Sequence, residues 1–169
     1  MRTNKEIVLG KKRFKSLVAK IIIWFLIRAI IASARLDSYV KKEVATWKDN
    51  SIIMLKVDDF GPSIALKKNG RRLNLIKNSE IEKPDLVIYF KNVEAALLIL
   101  TGQLGIAQAF AEHRYTLKGD VGFAMSFVRV LYIVEAYLFP QFITKKILKS
   151  MPDRDSSRFK IYKATIFGV

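Results

Sequence analysis

The sequence predicts a mixed α/β (α+β) domain, and three observations lead to this fold class. Runs of alternating apolar and polar residues, typical of strands, recur between residues 51 and 118. An Asn-Gly pair, typical of a hairpin turn, separates two of these runs. Long apolar stretches without alternation, typical of helices, lie before and after them. The 169 residues are enough for one domain with a single core.

The first element is an apolar stretch at residues 17–34 that predicts a helix. Lys20 and Arg28 interrupt it, and its longest uncharged run is seven residues, against the roughly 20 that a membrane span needs. On a helical wheel Arg13, Lys20, Arg28 and Arg35 share one sector, which is typical of a helix lying in the headgroup plane of a bilayer. A helix packed on the domain's own core and a signal or spanning segment are the alternatives. The residues that we expect to contact the membrane are Lys12, Arg13, Lys15, Lys20, Trp24 and Arg28.

Five strands are predicted next, at residues 52–57, 63–68, 71–77, 85–90 and 115–118. Asn69-Gly70 predicts a type I′ turn between the second and third strands, because both central residues of that turn need positive φ. Pairing about this turn places Ile64 and Leu66 on one face with Leu73 and Leu75.

Three helices are predicted at residues 93–100, 104–112 and 121–139. Asp120 is the expected N-cap of the third, and Pro140 should end it. This helix is apolar nearly all round, which predicts that it is buried, exposed to lipid or part of a cavity wall. Residues 158–163 alternate and predict a marginal strand.

The charge is concentrated at the two ends of the chain. The net charge is +15, with about +9 in residues 1–42, +1 in residues 43–144 and +5 in residues 145–169. These boundaries divide the chain into a basic amphipathic N-terminal arm, a central domain and a basic C-terminal tail. Because the basic cluster at residues 11–15 runs directly into the apolar stretch at residues 17–34, an anionic membrane surface is favoured as the partner over nucleic acid.

The residues that carry most catalytic and metal chemistry are scarce. The chain has no cysteine and one histidine, which excludes thiolate sites and multi-histidine metal sites. His113 stands at an expected helix end, and Asp58 and Asp59 precede Gly61 and Pro62 in an expected turn. The sequence contains no phosphate-binding glycine loop. We therefore expect no enzyme, no catalytic residue, no metal and no cofactor.

Residues 85–127 resemble the sterol carrier protein 2 family. The resemblance lies in the order and spacing of Asp85-Leu-Val-Ile, Leu100-Thr-Gly102, Ala109-Phe110, Lys118-Gly-Asp120, Gly122, Ala124 and Met125. It implies a five-stranded, mostly antiparallel sheet covered by helices that enclose an apolar tunnel. It also implies a carrier of a fatty acyl chain, a sterol or an isoprenoid or quinone, without catalytic residues. The residues expected to line the tunnel are Leu97, Leu100, Leu104, Phe110, Leu117, Phe123, Phe127 and Leu131.

The chain differs from the family pattern in three segments. These are the long apolar arm, the helix at residues 121–139, which continues past Phe127, and the basic tail. They favour a cytoplasmic carrier that is peripheral to the membrane over a freely diffusing one. Two other functions remain open. One is an accessory protein that recruits a lipid- or quinone-biosynthetic enzyme to the membrane, and the other is nucleic-acid binding through the basic ends. The sequence indicates neither the identity of the lipid nor the oligomeric state.

Overall fold

A five-stranded sheet is the centre of the computed structural model, which describes residues 9–77, 81, 83–148 and 150–168. Its strands are β1 (Ile52–Val57), β2 (Ser63–Asn69), β3 (Arg72–Ile76), β4 (Leu86–Phe90) and β5 (Tyr115–Gly119). Their spatial order is β3-β2-β1-β4-β5. Neighbouring strands are antiparallel, except that β1 and β4 are parallel. The predicted five-stranded, mostly antiparallel sheet is confirmed.

The turn of the β2–β3 hairpin lies one residue later in the chain than predicted. Asn69 pairs with Arg72, so the two-residue loop consists of Gly70 and Arg71. Of these two residues, Gly70 has positive φ, at 57°, which is the pattern of a type II′ turn. The Gly70 N–H donates to Asp49 Oδ1 at 2.6 Å. This contact comes from the segment before β1, and short-range sequence rules do not include it.

The shift moves the pairing by two residues, so the side chains keep the predicted faces. Leu66 now lies opposite Leu75, and Lys68 lies opposite Leu73. Leu73 is buried, whereas Leu75 is about half exposed. The third strand therefore contributes less to the core than its alternating pattern indicates.

Seven helices are present in the described residues. They are α1 (Leu9–Leu36), α2 (Ser38–Ala45), α3 (Val93–Leu100), α4 (Ile106–Ala111), α5 (Val121–Leu138), α6 (Gln141–Ile147) and α7 (Arg158–Phe167). The additional N-terminal helix is confirmed, and α3 has the predicted bounds. Asp120 caps α5 by accepting a hydrogen bond from the Phe123 N–H at 2.7 Å.

The C-terminal segment predicted as a marginal strand is the helix α7. Ser157 caps it by accepting a hydrogen bond from the Lys160 N–H at 3.2 Å. Ile161 and Thr165, one helical turn apart, are its buried residues. The helix packs against α1. Burial of one helical face against a distant element outweighs the weak strand pattern of this segment.

Most of helix α1 packs on the body of the protein. Ile23, Ile27 and Ile30 are fully buried, and the helix contacts α3, α5, α7 and the β2–β3 side of the sheet. If α1 lay on a membrane surface, its apolar side, which includes Ile23 and Ile30, would instead face the acyl chains of the bilayer. Of the three alternatives considered for residues 17–34, these contacts match the packed helix.

Within the described part of the chain, two helical segments are long and apolar enough to cross a bilayer, Arg13–Leu36 within α1 and Val121–Leu138. Each is also substantially buried inside the protein. Core helices of soluble proteins meet the same criteria of length and composition. We therefore treat both as helices of the folded domain.

Candidate functional site

An apolar cavity of about 360 Å³ lies between one face of the sheet and the helices. On the sheet side its walls come from β1, β4 and β5. On the helical side they come from α1, α5, α6 and the α3–α4 region. The lining residues are Ile22, Phe25, Leu26, Leu55, Ile88, Phe90, Ile99, Leu100, Thr101, Ile106, Tyr115, Leu117, Val128, Leu131, Glu135, Leu138, Phe139 and Ile143.

Helical and strand periodicity explains how neighbouring residues reach the same cavity. On α5 the lining positions are Val128, Leu131, Glu135 and Leu138. Their spacings of three, four and three residues place them along one face of a helix. In the strands, lining residues are two positions apart, as side chains that point to one face of a sheet must be.

A glycine at the end of α3 allows a close approach of α6 to the cavity. Gly102 has φ of +70°, a conformation that other residues rarely adopt. A Cβ atom at this position would lie 2.9 Å from Ile143 Cγ2 and 3.2 Å from Phe139 Cζ. Both of these neighbours line the cavity. The missing side chain therefore lets the α5–α6 junction cover this end of the site.

Three lining residues carry polar groups, and two of these already donate hydrogen bonds. The Thr101 hydroxyl donates to the Leu97 carbonyl at 2.6 Å. The Tyr115 hydroxyl donates to the Ile106 carbonyl at 3.3 Å, and burial raises the pKa of Tyr115 to about 12. Both hydroxyls keep their protons at neutral pH and have their donors occupied.

Glu135 is the third polar residue of the lining. Its side chain is buried, and its Oε2 atom has no hydrogen-bond partner. Burial raises the pKa of the Glu135 carboxyl from 4.5 to about 8, because a charged carboxylate is poorly solvated among apolar side chains. At neutral pH the carboxyl is therefore mostly protonated.

The structure brings three of the eight expected tunnel residues to the cavity. These are Leu100, Leu117 and Leu131. Leu97 and Leu104 are partly buried and pack against the core without lining the cavity.

The three phenylalanines of the expected set lie elsewhere. Phe110 is about half exposed. The rings of Phe123 and Phe127 pack against Trp47, with centroids 5.4 and 6.0 Å away. Trp47 comes from the segment between α2 and β1, and its position could not be inferred from the pattern of residues 85–127.

Two helical segments supply lining residues that sequence reasoning missed. Ile22, Phe25 and Leu26 come from α1, which was interpreted as an arm outside the binding domain. Phe139 and Ile143 flank Pro140, where the sequence indicated only the end of a helix. The spacing of Ile22 and Leu26, one turn apart on a helix whose neighbours are also apolar, is the available signal for the first group.

The residues expected to contact a membrane have different surroundings. The side chain of Lys12 lies outside the described side chains. Arg13 and Lys20 are exposed. Lys15 forms an exposed ion pair with Glu94, with Nζ 2.9 Å from Oε1.

Arg28 and Trp24 contact each other and the last helix. The Arg28 guanidinium lies 4.9 Å from the centroid of the Trp24 ring, within the range of a cation–π interaction. Arg28 Nε also donates to the Thr165 carbonyl at 2.5 Å, near the C-terminus of α7. Arg28 is thus bound within the protein, whereas Trp24 is exposed.

The exposed side of α1 carries large apolar side chains beside cations. Phe14, Leu17, Ile21 and Trp24 recur every three or four residues and are all exposed. They form one stripe along the helix, which we call the α1 stripe.

A basic groove lies where the end of α1, α2 and the β2–β3 hairpin meet. Its charged lining residues are Arg35, Lys41, Lys42, Lys68, Arg71 and Arg72. Lys68 is buried, and its ammonium donates to the Trp47 carbonyl. The net charge of residues 43–144 is close to zero and does not indicate this groove, because half of the groove's cations come from residues 35–42.

The residues considered for chemistry lie in turns. His113 is exposed just after α4 and has φ of 52°. Asp58 Oδ1 accepts a hydrogen bond from the Phe60 N–H at 2.9 Å, which is a local turn contact. The described residues contain no group of three or more His, Asp or Glu side chains that could hold a metal ion.

Comparison with known proteins identifies one family. The model of the SCP-2 sterol transfer family matches residues 30–132, which is more than half of the chain. No curated protein matches the sequence.

Several solved structures resemble this one at low sequence identity. "UbiJ-SCP2 Ubiquinone synthesis protein" is 17% identical and has a TM-score of 0.49 over 72% of this chain and 99% of its own. Palmitated SCP2L2 from Aedes aegypti is 16% identical, with a TM-score of 0.44 over 63% of this chain and 91% of its own. Apo Sterol Carrier Protein 2 from Yarrowia lipolytica is 17% identical, with a TM-score of 0.43 over 66% of this chain and 88% of its own.

Proposed function

The chain belongs to the SCP-2 sterol transfer family, and on this premise we propose that its cavity binds the hydrocarbon part of a lipid without catalysing a reaction. Domains of this family are generally non-catalytic lipid carriers. The observation that carries the proposal is the cavity of about 360 Å³, whose lining is apolar except for three residues. A volume of this size lies within the range of small-molecule sites.

The chemistry of the lining favours hydrocarbon over polar ligands. Each buried methylene group contributes about 0.8 kcal/mol, so several methylenes from an alkyl chain, a sterol or an isoprenoid would give useful affinity. None of these shapes is selected by apolar contact alone. The lining residues include no lysine, arginine or histidine that could pair with an anionic headgroup.

Filling the cavity tests the proposal. Leu117→Trp places a larger side chain in the space, so we expect lower occupancy by a bound lipid. Phe110→Trp is the matched control, because Phe110 is exposed and does not line the cavity. Occupancy is measured by organic extraction and mass spectrometry of the purified proteins. Equal occupancy in a correctly folded Leu117→Trp variant would contradict this site.

We further propose that the protein works at a cytoplasmic membrane surface as a peripheral protein. The support is the α1 stripe, whose exposed apolar side chains lie beside Arg13 and Lys20. Apolar side chains enter the headgroup region, while each nearby cation adds about 1 kcal/mol on anionic lipid. Binding should therefore be strong on anionic vesicles, weak on neutral ones and reduced by salt.

Charge reversal tests membrane binding without disturbing the packed face of α1. Arg13→Glu with Lys20→Glu should weaken binding to anionic vesicles by at least about 30-fold, since two cations are lost. The control is Lys91→Glu with Lys118→Glu, which changes the net charge by the same amount. Both residues are exposed; Lys91 follows β4 and Lys118 lies in β5. Vesicle sedimentation measures both variants.

The result also separates the other functions considered. Unchanged sedimentation of the α1 variant would contradict electrostatic attachment. Loss of affinity for RNA or DNA at physiological salt would instead indicate a nucleic-acid partner. Recruitment of a biosynthetic enzyme stays a prediction.

A further inference from the structure

Glu135 is unusual among the cavity residues. A glutamate is rarely fully buried unless it is paired, and an unsatisfied buried polar atom costs free energy. Glu135 nevertheless lines the cavity, is 7% exposed and leaves Oε2 without a partner. A ligand bound in the cavity would therefore lie next to the Glu135 carboxyl.

The surroundings of Glu135 favour the neutral carboxyl over the ionised one. The ionisable groups that interact with it are Tyr115 on β5 and Tyr132 on α5, and both are uncharged at neutral pH. The lining residues from α1, β1, β4, α3, α4 and α6 carry no ionisable side chain.

Two nearby arginines do not change this conclusion. Arg154 and Arg158 donate to the carbonyl of the adjacent Ala136, but neither lines the cavity. Burial is the cause that raises the pKa of Glu135, and no cation lowers it. Glu135 therefore carries a proton at neutral pH and can donate it in a hydrogen bond.

We propose that Glu135 makes the cavity selective for a neutral lipid whose polar end accepts a hydrogen bond, such as a ketone, ester or quinone carbonyl. The Thr101 and Tyr115 hydroxyls already donate to backbone carbonyls, so the Glu135 O–H is the donor left for a ligand in the described lining. A ligand with a carboxylate end would find no cation in this lining, so its charge would be buried without a partner. This inference rests on the proposed lipid-binding function and adds a ligand class to it.

The test compares four probes with the same alkyl chain in the full-length protein. They are dodecane, 2-dodecanone, dodecanoate and dodecylamine, each titrated calorimetrically at pH 7. We expect 2-dodecanone to bind about five- to tenfold more tightly than dodecane, which is the contribution of one hydrogen bond. Dodecanoate should gain nothing over dodecane, and dodecylamine should not be preferred.

Two variants separate hydrogen-bond donation from packing. Glu135→Leu removes the donor and should bind 2-dodecanone and dodecane equally. Glu135→Gln keeps an N–H donor that does not titrate and should retain the preference for the ketone. At pH 9 the wild-type preference should disappear, because an ionised carboxylate only accepts, whereas Glu135→Gln should keep it.

The outcomes distinguish this inference from the function on which it rests. Binding of dodecane with no preference for the ketone, or a preference that survives in Glu135→Leu, would overturn the role of Glu135 alone. Tightest binding of dodecylamine that depends on Glu135 would also overturn it, since the carboxylate would then be ionised. Failure of every probe to bind the wild type would contradict the lipid-binding function itself.

Discussion

Helices α1 and α5 are both long and apolar, yet the protein uses them differently. Each contains a segment that could span a bilayer by length and composition. Helix α5 is buried over most of its surface and lines the cavity along one face. Helix α1 also reaches the cavity, but its other side exposes the α1 stripe. Although both helices are apolar, α5 is a core helix, whereas α1 is buried on one side and exposes apolar side chains on the other.

The polar residues of α5 illustrate why it can be buried. Ser126 accepts a hydrogen bond from Trp47 Nε1 at 2.8 Å and donates one to Glu43 Oε2 at 2.7 Å. Arg129 donates to the same carboxylate and lowers the pKa of Glu43. Tyr137 donates to the buried Asp37 at 2.5 Å. Partners from α2 and its flanks thus satisfy polar groups that composition alone would place in water.

The largest expected difference between the two helices concerns stability. Phe127→Ala on α5 should lower the free energy of unfolding by about 3–5 kcal/mol, because Phe127 is fully buried against Trp47. Phe14→Ala on α1 should change it by less than about 0.5 kcal/mol, because Phe14 is exposed. Denaturant unfolding measures both. Similar losses would show that the α1 stripe is buried in solution.

A pH-dependent difference of intermediate size is expected at Glu135. The unfolded carboxyl ionises near pH 4.5, while burial raises the pKa of the folded one to about 8. Between these values the unfolded state alone releases the proton, so wild-type stability should fall as the pH rises, by up to about 1.4 kcal/mol per pH unit. Glu135→Gln removes this slope and should gain relative stability from pH 5 to pH 8.

Lys20→Gln on α1 is the matched control for this pH series. Lys20 is exposed, and its substitution should shift stability equally at all pH values from 5 to 8. The measurement is chemical unfolding at each pH. A constant difference between wild type and Glu135→Gln would mean that Glu135 is ionised in the folded protein.

The smallest effect is expected at Arg28, where α1 holds α7. Arg28→Met removes hydrogen bonds to the Thr165 and Ile166 carbonyls, which should cost about 1–2 kcal/mol and increase hydrogen exchange in α7. Lys20→Met, a control at an exposed position of the same helix, should leave that exchange unchanged. Equal exchange in the two variants would contradict the link between α1 and α7.

Local patterns were sufficient for the strands and for several helix bounds. The alternation in residues 52–57 and 85–90 reflects side chains that point to opposite faces of a sheet, and both strands are present. Asp120, the expected N-cap, caps α5 by accepting a hydrogen bond from the N–H group three residues ahead. Such interactions depend on neighbours in sequence, so the sequence indicates them directly.

The cavity could be predicted only in part. Leu100 and Leu117 were expected in its lining, and both lie within residues 85–127, whose order and spacing the family resemblance covers. Phe127 and Phe123 were expected there as well, but their rings pack against Trp47, which is more than 75 residues away in sequence. Which face of a helix meets a cavity depends on rotations of a few tens of degrees, and distant packing partners set these rotations.

The sequence by itself determined the fold class, the order of the strands along the chain, the Asp120 cap of α5 and the scarcity of catalytic side chains, because composition and short-range spacing specify them. The tertiary structure alone decided that α1 packs on the domain, that residues 158–167 form a helix, and that Arg35 and Arg72 share a basic groove. It also decided that Glu135 borders an apolar cavity. Each of these depends on burial between residues far apart in the chain, where packing free energy outweighs local preference.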